Sequence, residues 1–293
     1  MAERSFEPLE RFDDVAARSL GRRFSAGVHF AFSGASWAFS RKELRLLSAL
    51  TIALNLVLYI GLLVLGFLYL DDVVRWIGPD PAKWEGFWQS FMEALQGLIK
   101  FVLAITWLLL SVFLALALGN VVAGPFFDLL SERTEALVVG RSLAPPFSLV
   151  GTVRTVVKEL LVQLGLLGVY LPVVGVILVI GLLPVVGQIL APVLTWMWTA
   201  LWVTMTFTTQ ATARHGLGTK ARLRLLFSHK VMGVGFGGIA SVVPFLLIPI
   251  FAPALVVGGT RLFLALAAHG HVPSRLSEAD KALIRSEAAL LSR

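Results

Sequence analysis

Residues 231–260, VMGVGFGGIASVVPFLLIPIFAPALVVGGT, form a continuous run without an Asp, Glu, Lys, Arg or His. The run is longer than the ~20 apolar residues that cross a hydrocarbon layer as one helix. Pro244, Pro249 and Pro253 interrupt it, however, and leave a first arm of about 13 residues from Val231. At 1.5 Å per residue that arm is about 20 Å long, too short for the ~30 Å core. The run therefore predicts a re-entrant hairpin, whose backbone must be buried in protein or line a wet cavity.

Three further runs have the same character. Segments 46–70, 101–127 and 160–213 also lack all five of these residue types. Hydrophobic residues make up 57% of the 293 and charged residues 15%, whereas about a quarter of the residues in a soluble domain are charged. The sequence therefore predicts an integral membrane protein, with the lipid bilayer as a partner.

The run 160–213 is long enough for two helices, and a turn is predicted within it. Leu-Pro-Val-Val-Gly occurs at 171–175 and again at 183–187, and the second copy, followed by Gln188 and Pro192, is the better turn. It leaves arms of about 24 and 26 residues. Their length does not decide whether they reach the far face, because Pro172 can kink the first arm.

These runs together predict the fold. The first and second runs are each a single span, with helices at 46–70 and near 100–124 joined by an external loop at 71–99. The expected fold is therefore an all-α integral membrane protein with two full transmembrane helices plus two Pro/Gly-turned helical hairpins that penetrate only partway.

The distribution of Lys and Arg predicts the orientation. These residues number eight in 1–45, three in 71–100, four in 128–158, five in 214–230 and five from 261 onward. Only 71–100 is poor in them, and it also holds five acidic residues. The positive-inside rule therefore places it outside and both termini in the cytoplasm of a multi-pass protein.

The same pattern suggests three parts. Residues 1–45 are expected to be a cytoplasmic amphipathic segment, 46–268 a helical membrane domain and 269–293 a cytoplasmic tail. A signal peptide is not expected, because the polar, charged segment 1–45 precedes the first apolar stretch.

Composition also excludes several classes of function. Cysteine is absent, which removes disulfides, thiol nucleophiles and thiolate metal sites. The net charge of +7 is distributed between membrane runs and not in a separate basic domain, so nucleic acid is not an expected partner. His269 and His271 lack a third ligand nearby, so neither a metal nor another cofactor is expected.

The membrane runs constrain the mechanism in a similar way. No nucleophile, base and orienting group can be assembled at a recognisable spacing, and an enzyme is not expected. None of the four runs contains an Asp, Glu or His for a proton relay. Passive permeation or a role without transport is favoured.

Two stretches carry candidate functional residues. In GPFFDLLSERTEALV, residues 124–138, Pro125 is expected to end a membrane helix. The charged residues that follow have spacings of four and three, which place them on one side of a surface helix, opposite its apolar residues: Asp128, Glu132 and Glu135.

The second stretch is SRKE, residues 40–43, whose Ser40 and Glu43 have the form of a capping box and predict the start of the first membrane helix. Arg41, Lys42 and Arg45 cluster there, where free backbone N–H groups and the helix dipole favour an anion. An ordinary positive-inside anchor explains these three residues equally well.

Three weaker signals have two interpretations each. GVGFGG, residues 233–238, satisfies the dinucleotide pattern G-x-G-x-x-G, but it lies in a membrane run without a preceding strand and favours helix packing through small residues. Arg261 is either functional or, preferably, snorkels to the interface. The threonines between Thr195 and Thr212 either line a polar path or, as is usual, bond to their own backbone.

Three segments resemble the family of bacterial CysZ sulfate permeases, within the wider etoposide-induced-protein domain family, over roughly residues 30 to 265. NVVAGPFFDLLSERTE (120–135) is similar to the family's Asn-x-x-x-x-Pro-Phe-Asn-x-Leu-Leu-x-Glu-x-x-Glu run, and LLPVVGQILAPVL (182–194) to its Pro-x-x-Gly-Gln-x-x-Ala-Pro-Val-Leu run. GFGGIASVVPFLLIPIFAPALVVGGT (235–260) matches a third run by its Gly, Pro and Gly-x-Thr spacing.

The resemblance implies the two spans and two partial hairpins, a homo-oligomer, and passive sulfate uptake across the inner membrane. It also implies mixed roles for the first motif: Pro125 and Phe126 structural, Glu132 and Glu135 in ion pairs lining the conducting region. The matching positions of the first two motifs include Asn120, Pro125, Phe126, Glu132, Glu135, Pro184, Gly187 and Gln188.

The resemblance is weaker at the sulfate-binding run. The family has Gly-apolar-Arg-Arg where this chain has Glu43, Leu44, Arg45 and Leu46, so one arginine remains. The sequence thus predicts a passive anion permease or channel, with sulfate as the leading substrate. The alternative is a membrane scaffold of the same fold that shapes lipid or holds partners without transport.

Overall fold

The computed structural model describes residues 19–141, 149–242, 247–268 and 276–282. Within them every regular element is helical. The helices are α1 (Leu20–Ser40), α2 (Lys42–Ile77), α3 (Phe87–Val122), α4 (Gly124–Val139), α5 (Leu149–Gly181), α6 (Val186–Arg214), α7 (Thr219–Ser228), α8 (Lys230–Val242) and α9 (Ile248–Ala268), with a 3₁₀ turn at Pro81–Lys83.

Five segments of the described chain are helical, long and apolar enough to cross a membrane. They are Lys42–Lys83, Phe87–Leu108, Leu161–Gly181, Val186–Arg214 and Ile250–Ala268. A further pair, α7 and α8, passes the same test only jointly and is bent by 92°. The chain is thus an all-helical integral membrane protein.

The chain divides into two compact units, and residues 49–125 form one of them. Its helices are antiparallel: Trp107 Nε1 donates to the Leu62 carbonyl at 3.1 Å, and Lys100 Nζ lies 2.5 Å from Asp71 Oδ1. Most large apolar side chains on these helices are exposed, as expected for surfaces that meet lipid.

The predicted loop at 71–99 is wrong over most of its length. Helix α2 continues to Ile77 and α3 begins at Phe87, so the connection is only 78–86. The charged residues do not end the helix, and Arg75 Nη2 lies 3.1 Å from Asp72 Oδ1 one turn earlier in α2. Just after the 3₁₀ turn, Trp84 and Trp88 lie 6.3 Å apart by ring centroids.

The second unit contains residues 1–48 and 126–293. Helix α1 packs on α8 and α9 through a narrow face whose buried residues repeat every three or four positions: Gly27, Phe30, Ala31, Gly34, Trp37 and Ala38. The part of the predicted N-terminal segment before residue 19 lies outside the described residues.

Glycines allow these helices to approach closely. A Cβ on Gly27 would overlap the Met232 carbonyl, and one on Gly235 would overlap the Phe24 carbonyl, so α1 and α8 touch backbone to backbone. On the other side of α8, a Cβ on Gly237 would overlap the Ala200 carbonyl of α6. The prediction that GVGFGG packs helices is therefore confirmed.

The first membrane helix begins within SRKE, as predicted, but the capping-box prediction is wrong. Ser40 is the last residue of α1, Arg41 separates the two helices, and α2 begins at Lys42. The Arg41 carbonyl accepts the first bonds of α2, from the amides of Leu44 at 3.1 Å and Arg45 at 2.8 Å.

The turn within the run 160–213 lies where the second Leu-Pro-Val-Val-Gly predicted it. Helix α5 ends at Gly181 and α6 begins at Val186. Val185 has φ 65° and ψ −63°, and the Val186 amide donates to the Pro184 carbonyl at 2.7 Å, the geometry of a γ-turn. Tyr170 of α5 lies against Trp202 of α6, 4.3 Å between centroids, so the arms form a hairpin.

The length predicted for the first arm of the last run is also confirmed. Helix α8 has 13 residues and ends at Val242, two residues before Pro244. Pro244 itself lies outside the described residues. Helix α9 follows, and 89% of its most apolar window is buried inside the protein. A helix with the composition of a membrane span is therefore enclosed by protein.

Candidate functional site

A buried carboxylate forms the centre of the candidate site. The Glu135 side chain on α4 is fully buried, and its Oε1 lies 2.5 Å from Nε2 of His215. Its Oε2 lies 3.3 Å from Nε of Arg214, an ion pair without hydrogen-bond geometry. Burial of a lone carboxylate would be very costly, so these two contacts are what make its position possible.

Arg214 joins this carboxylate to a second one. Its Nη2 lies 3.2 Å from Oδ1 of Asp128 and donates to the Asp128 carbonyl at 3.3 Å. Asp128 and Glu135 are seven residues apart, about two turns, and so face the same neighbour. The cluster therefore ties two successive levels of α4 to the end of α6.

The predicted surface helix has the expected bounds, but one of its three acidic residues does not lie on the predicted side. Glu135 is on the packed side of α4 with Leu130 and Val138, not on an outer side. Glu132 is half-buried and Asp128 is exposed. Packing against the end of α6 brings Glu135 inside.

Arg214 and His215 were not among the predicted site residues. They follow directly after the uncharged run 160–213, and only Arg214 contributes to the five Lys and Arg residues of 214–230. The sequence contained one signal for such partners, the acidic residues of the motif GPFFDLLSERTE. An acidic side chain that becomes buried needs a cation beside it.

The predicted anion-binding residues lie at the start of α2. The Arg41 guanidinium lies over the Trp37 ring, 4.9 Å from its centroid. Lys42 and Arg45 are exposed in the first turn of α2. The three side chains thus offer a basic surface at the start of α2.

Arg261 was expected to snorkel, and this is wrong. Its side chain on α9 is 3% exposed, and its Nη1 donates to Ser33 Oγ at 2.9 Å. Its guanidinium carbon lies 4.2 Å from the centroid of Trp37, which therefore contacts both this arginine and Arg41. Cation–π contact and a hydroxyl partly replace the water that Arg261 loses.

The other predicted residues occupy structural positions. Pro125 lies in the first turn of α4, where the helix uses no backbone N–H, so proline is tolerated. The break at Ala123, just before this turn, confirms the predicted end of a helix. Phe126 is half-buried in the same turn. Asn120 lies in α3, and its side chain is outside those described.

The hairpin turn contains the remaining three predicted residues. Pro184 lies in the turn itself. Gly187 is buried, and a Cβ there would overlap the Ile180 carbonyl, so only glycine permits this close approach of the arms. Gln188 is exposed on the first turn of α6.

The threonines of α6 follow their usual behaviour. Thr208 donates to the Thr204 carbonyl at 3.0 Å, and Thr209 donates to the Met205 carbonyl at 2.8 Å. Thr204 donates to Ala200 within α6 and across to Gly233 of α8 at 2.6 Å. The prediction of backbone bonding is confirmed. A cavity of about 30 Å³ beside Thr204 and the buried Arg222 has room for a water molecule or two.

A separate ion pair joins the C-terminal segment to Arg141, two residues after the end of α4. Arg141 Nη2 lies 2.6 Å from Oδ2 of Asp280, and its Nε donates to Oδ1 at 3.1 Å, a bidentate pair. The hydrogen bond from Arg141 lowers the pKa of Asp280 to about 2. Ser277 adds its amide to the same carboxylate at 2.9 Å.

Comparison with known proteins agrees with this architecture. Residues 30–256 match the family described as Sulfate transporter CysZ/Etoposide-induced protein 2.4. A protein named Sulfate transporter CysZ from Pectobacterium atrosepticum is 29% identical over 81% of this chain and 84% of its own length. Proteins of the same name from Pseudomonas fluorescens and Pseudomonas paraeruginosa are 30% and 28% identical, over 74% and 84% of this chain and 84% and 93% of their own lengths.

The matched region begins within α1 and ends within α9, so it includes the buried ion cluster and the hairpin turn. The relatives carry the names of transporters, which agrees with the expectation that this chain is not an enzyme. It belongs to the Sulfate transporter CysZ/Etoposide-induced protein 2.4 family.

Proposed function

We propose that this chain is a passive permease or channel for sulfate-like anions in the bacterial inner membrane. The observation that carries the proposal is the match of residues 30–256 to the family, together with three relatives named as sulfate transporters that align over 74% to 84% of the chain. Sulfate is the leading substrate because it is the one those names give.

The passive mechanism is supported by the placement of ionisable groups. A proton-coupled carrier needs an Asp, Glu or His within the membrane, and the four uncharged runs have none. His215 and Glu135, which do form a buried pair, lie beyond the ends of these runs. We assign them to a permanent ion cluster and not to a proton path.

The proposed arrangement in the bilayer has α2 and α3 as full spans and the hairpins α5–α6 and α8–α9 inserted from the cytoplasmic side. Trp196, which is 38% exposed, follows the turn residue Val185 by 11 residues, or about 16 Å of helix. Aromatic belts lie at the headgroups, so this depth suits a turn that stops inside the ~30 Å core.

The proposed orientation follows the positive-inside rule. The segment 71–100 lies in the periplasm, and the N-terminal segment 1–45 and the tail 269–293 flank the membrane domain 46–268 in the cytoplasm. The helix α1 within the first segment also packs on α8 and α9. A homo-oligomer in lipid is part of the proposal because the resemblance to the family implies one.

Residue roles follow from position. Arg45, with Arg41 and Lys42, would attract the anion at the cytoplasmic end of α2. Glu132 and Glu135 would fix the wall of the conducting region through ion pairs. The turn from Pro184 to Gln188 would direct the N-terminus of α6, with its partial positive charge, toward an ion inside the membrane.

The test is sulfate flux into liposomes that contain the purified protein. Wild-type protein is expected to admit sulfate without a proton or sodium gradient. Arg45→Ala is expected to lower the flux about tenfold or more, since a charge-assisted hydrogen bond contributes about 1.5–3 kcal/mol.

The matched control is Arg224→Ala, which removes an exposed arginine from α7. It is expected to leave the flux unchanged. Equal flux in Arg45→Ala and Arg224→Ala would remove the binding role from Arg45. Absence of anion flux or current at any salt concentration in wild-type liposomes would favour the scaffold function instead.

A further inference from the structure

A buried positive charge lies on one of the most enclosed helices of the protein. The Arg261 side chain is 3% exposed, and α9, which carries it, is among the candidate membrane spans. An ionisable side chain in such a segment is costly and is by default a candidate for function. Arginine also keeps its charge, because its guanidinium is not deprotonated in proteins. Helix α9 therefore holds a permanent cation inside the protein.

One indole ring links this cation to the start of α2. The guanidinium carbon of Arg261 lies 4.2 Å from the centroid of Trp37, and that of Arg41 lies 4.9 Å from the same centroid. The two guanidinium carbons are therefore no farther apart than the sum of these distances, about 9 Å. Arg41 connects α1 to α2 and belongs to the basic surface proposed to attract the anion.

The packing of α1 on α9 holds the charge in place. Nη1 of Arg261 donates to Ser33 Oγ at 2.9 Å, and the guanidinium lies against Trp37, which is 2% exposed. Both of these partners belong to α1. Salt screens buried charges much less than exposed ones, so Arg261 acts on its surroundings even at physiological ionic strength.

The two arginines together favour an anion. Arg41 acts on Arg261 as a neighbouring positive charge, and like charges at this distance repel each other. An anion beside Arg41 is attracted by both guanidinium groups, so its binding offsets this repulsion. A negative charge at the start of α2 is therefore stabilised from inside the protein as well as by the exposed basic side chains.

We propose that Arg261 strengthens anion capture at the start of α2 as a buried charge that does not touch the anion. The anion contacts Arg41 and its exposed neighbours Lys42 and Arg45, and Arg261 attracts it across the protein interior. The inference rests on the proposed permeation of anions and extends it to a residue outside the basic surface.

The expected effect follows from the distance and the charges. An anion held at Arg41 lies on the order of 10 Å from Arg261. The effective dielectric constant is taken as about 40, between about 20 near a protein surface and about 80 in water. A unit charge at that distance then changes the affinity for a dianion about sixteenfold.

The experiment compares wild type with Arg261→Gln in liposomes, by sulfate uptake over a range of sulfate concentrations. Arg261→Gln removes the charge and leaves an amide that can donate to Ser33 Oγ. The half-saturating sulfate concentration is expected to rise about sixteenfold, while the maximal flux stays close to that of wild type. Arg261→Met is a second neutral variant, for use if the glutamine variant gives little folded protein.

Two comparisons separate the charge from its packing. Ser33→Ala removes the hydrogen bond of Arg261 and keeps both guanidinium groups, so the half-saturating concentration is expected to stay near that of wild type. In an Arg41→Gln background, Arg261→Gln is expected to cause the same further rise. The reason is that the charge of Arg261 acts on the anion directly and not through the position of Arg41.

Two results would overturn the proposal while uptake by the wild type is normal. An unchanged half-saturating concentration in Arg261→Gln would mean that Arg261 serves packing alone. An equal rise in Ser33→Ala, or no further rise in the Arg41→Gln background, would mean that Arg261 acts by positioning α1. Absence of uptake by the wild type would remove the proposed function itself, and this inference with it.

Discussion

Replacement of Arg214 by Met is expected to destabilise the protein by about 3 kcal/mol. The Arg214 side chain is 6% exposed and its partner Glu135 is fully buried, so the substitution leaves a carboxylate in the interior with one fewer cation. Loss of one member of a buried pair costs about 3–5 kcal/mol. We use the lower end because His215 still lies 2.5 Å from the other carboxylate oxygen.

The assay is thermal unfolding of the purified protein in detergent, followed by the fraction that remains monodisperse after heating. One kcal/mol corresponds to about 2–4 °C in chains of about 150–250 residues, so the expected fall in Tm is about 6–12 °C. Arg224→Met, the same replacement at an exposed position of α7, is expected to stay within about 0.5 kcal/mol of wild type.

A double-mutant cycle tests the assigned cause. Glu135→Gln removes the charge and keeps the shape, and in that background Arg214→Met no longer leaves a buried anion. The double variant should therefore be more stable than the sum of the single effects predicts, by about 0.5–3 kcal/mol. Additive effects, or an equal loss in Arg214→Met and Arg224→Met, would refute the reasoning.

Three further predictions concern stability. Gly27→Ala is expected to lower the free energy of unfolding by about 1–3 kcal/mol, because the new Cβ meets the backbone of α8. Gly175→Ala, with open space around it, is expected to raise the free energy of unfolding by up to about 1 kcal/mol. Tm in detergent measures both effects. Val185→Gly is expected to raise Tm, because a β-branched residue at φ 65° is strained and glycine is not. The Arg141–Asp280 contact is expected to stabilise the C-terminal segment above about pH 4 and to weaken as pH falls toward 2, because the folded pKa of Asp280, about 2, is below its usual 3.8. Hydrogen exchange at 277–281 measures this, and Arg141→Gln should reduce the dependence to the part that Ser277 maintains.

The elements that the sequence predicted well are those set by local chemistry. The hairpin turn follows from Pro184 and Gly187, since one lacks a donor and the other permits close approach. The 13 residues of α8 follow from Pro244 in the same way. In both cases the determining residues lie next to the feature they determine.

The loop predicted at 71–99 failed because charge was taken as the end of a helix. Asp71, Asp72 and Arg75 end the apolar run, but charged residues do not end a helix, and here Arg75 pairs with Asp72 and Lys100 with Asp71. Hydropathy thus gave no information about the end of the helix.

The site was only partly predictable for a different reason. The acids of α4 were recognised from their spacing, yet Glu135 and His215 are 80 positions apart, and helical periodicity describes only one helix. The same limit applies to Arg261, whose partners Ser33 and Trp37 are contributed by α1 at the other end of the chain. Which cations meet which acids is decided by how the helices pack.

Helix α9 shows which property of a membrane sequence indicates packing between helices. Its most apolar window is 89% buried inside the protein, whereas the corresponding windows of α2, α3 and α5 are 11%, 0% and 6% buried, although all four pass as membrane spans. What distinguishes α9 is Gly258 and Gly259, which meet the backbones of α1 and α6. Because small residues allow backbones to meet, the glycines of α8 and α9 mark a helix pair that is enclosed by protein. That enclosure is the condition under which a broken, re-entrant backbone can exist at membrane depth.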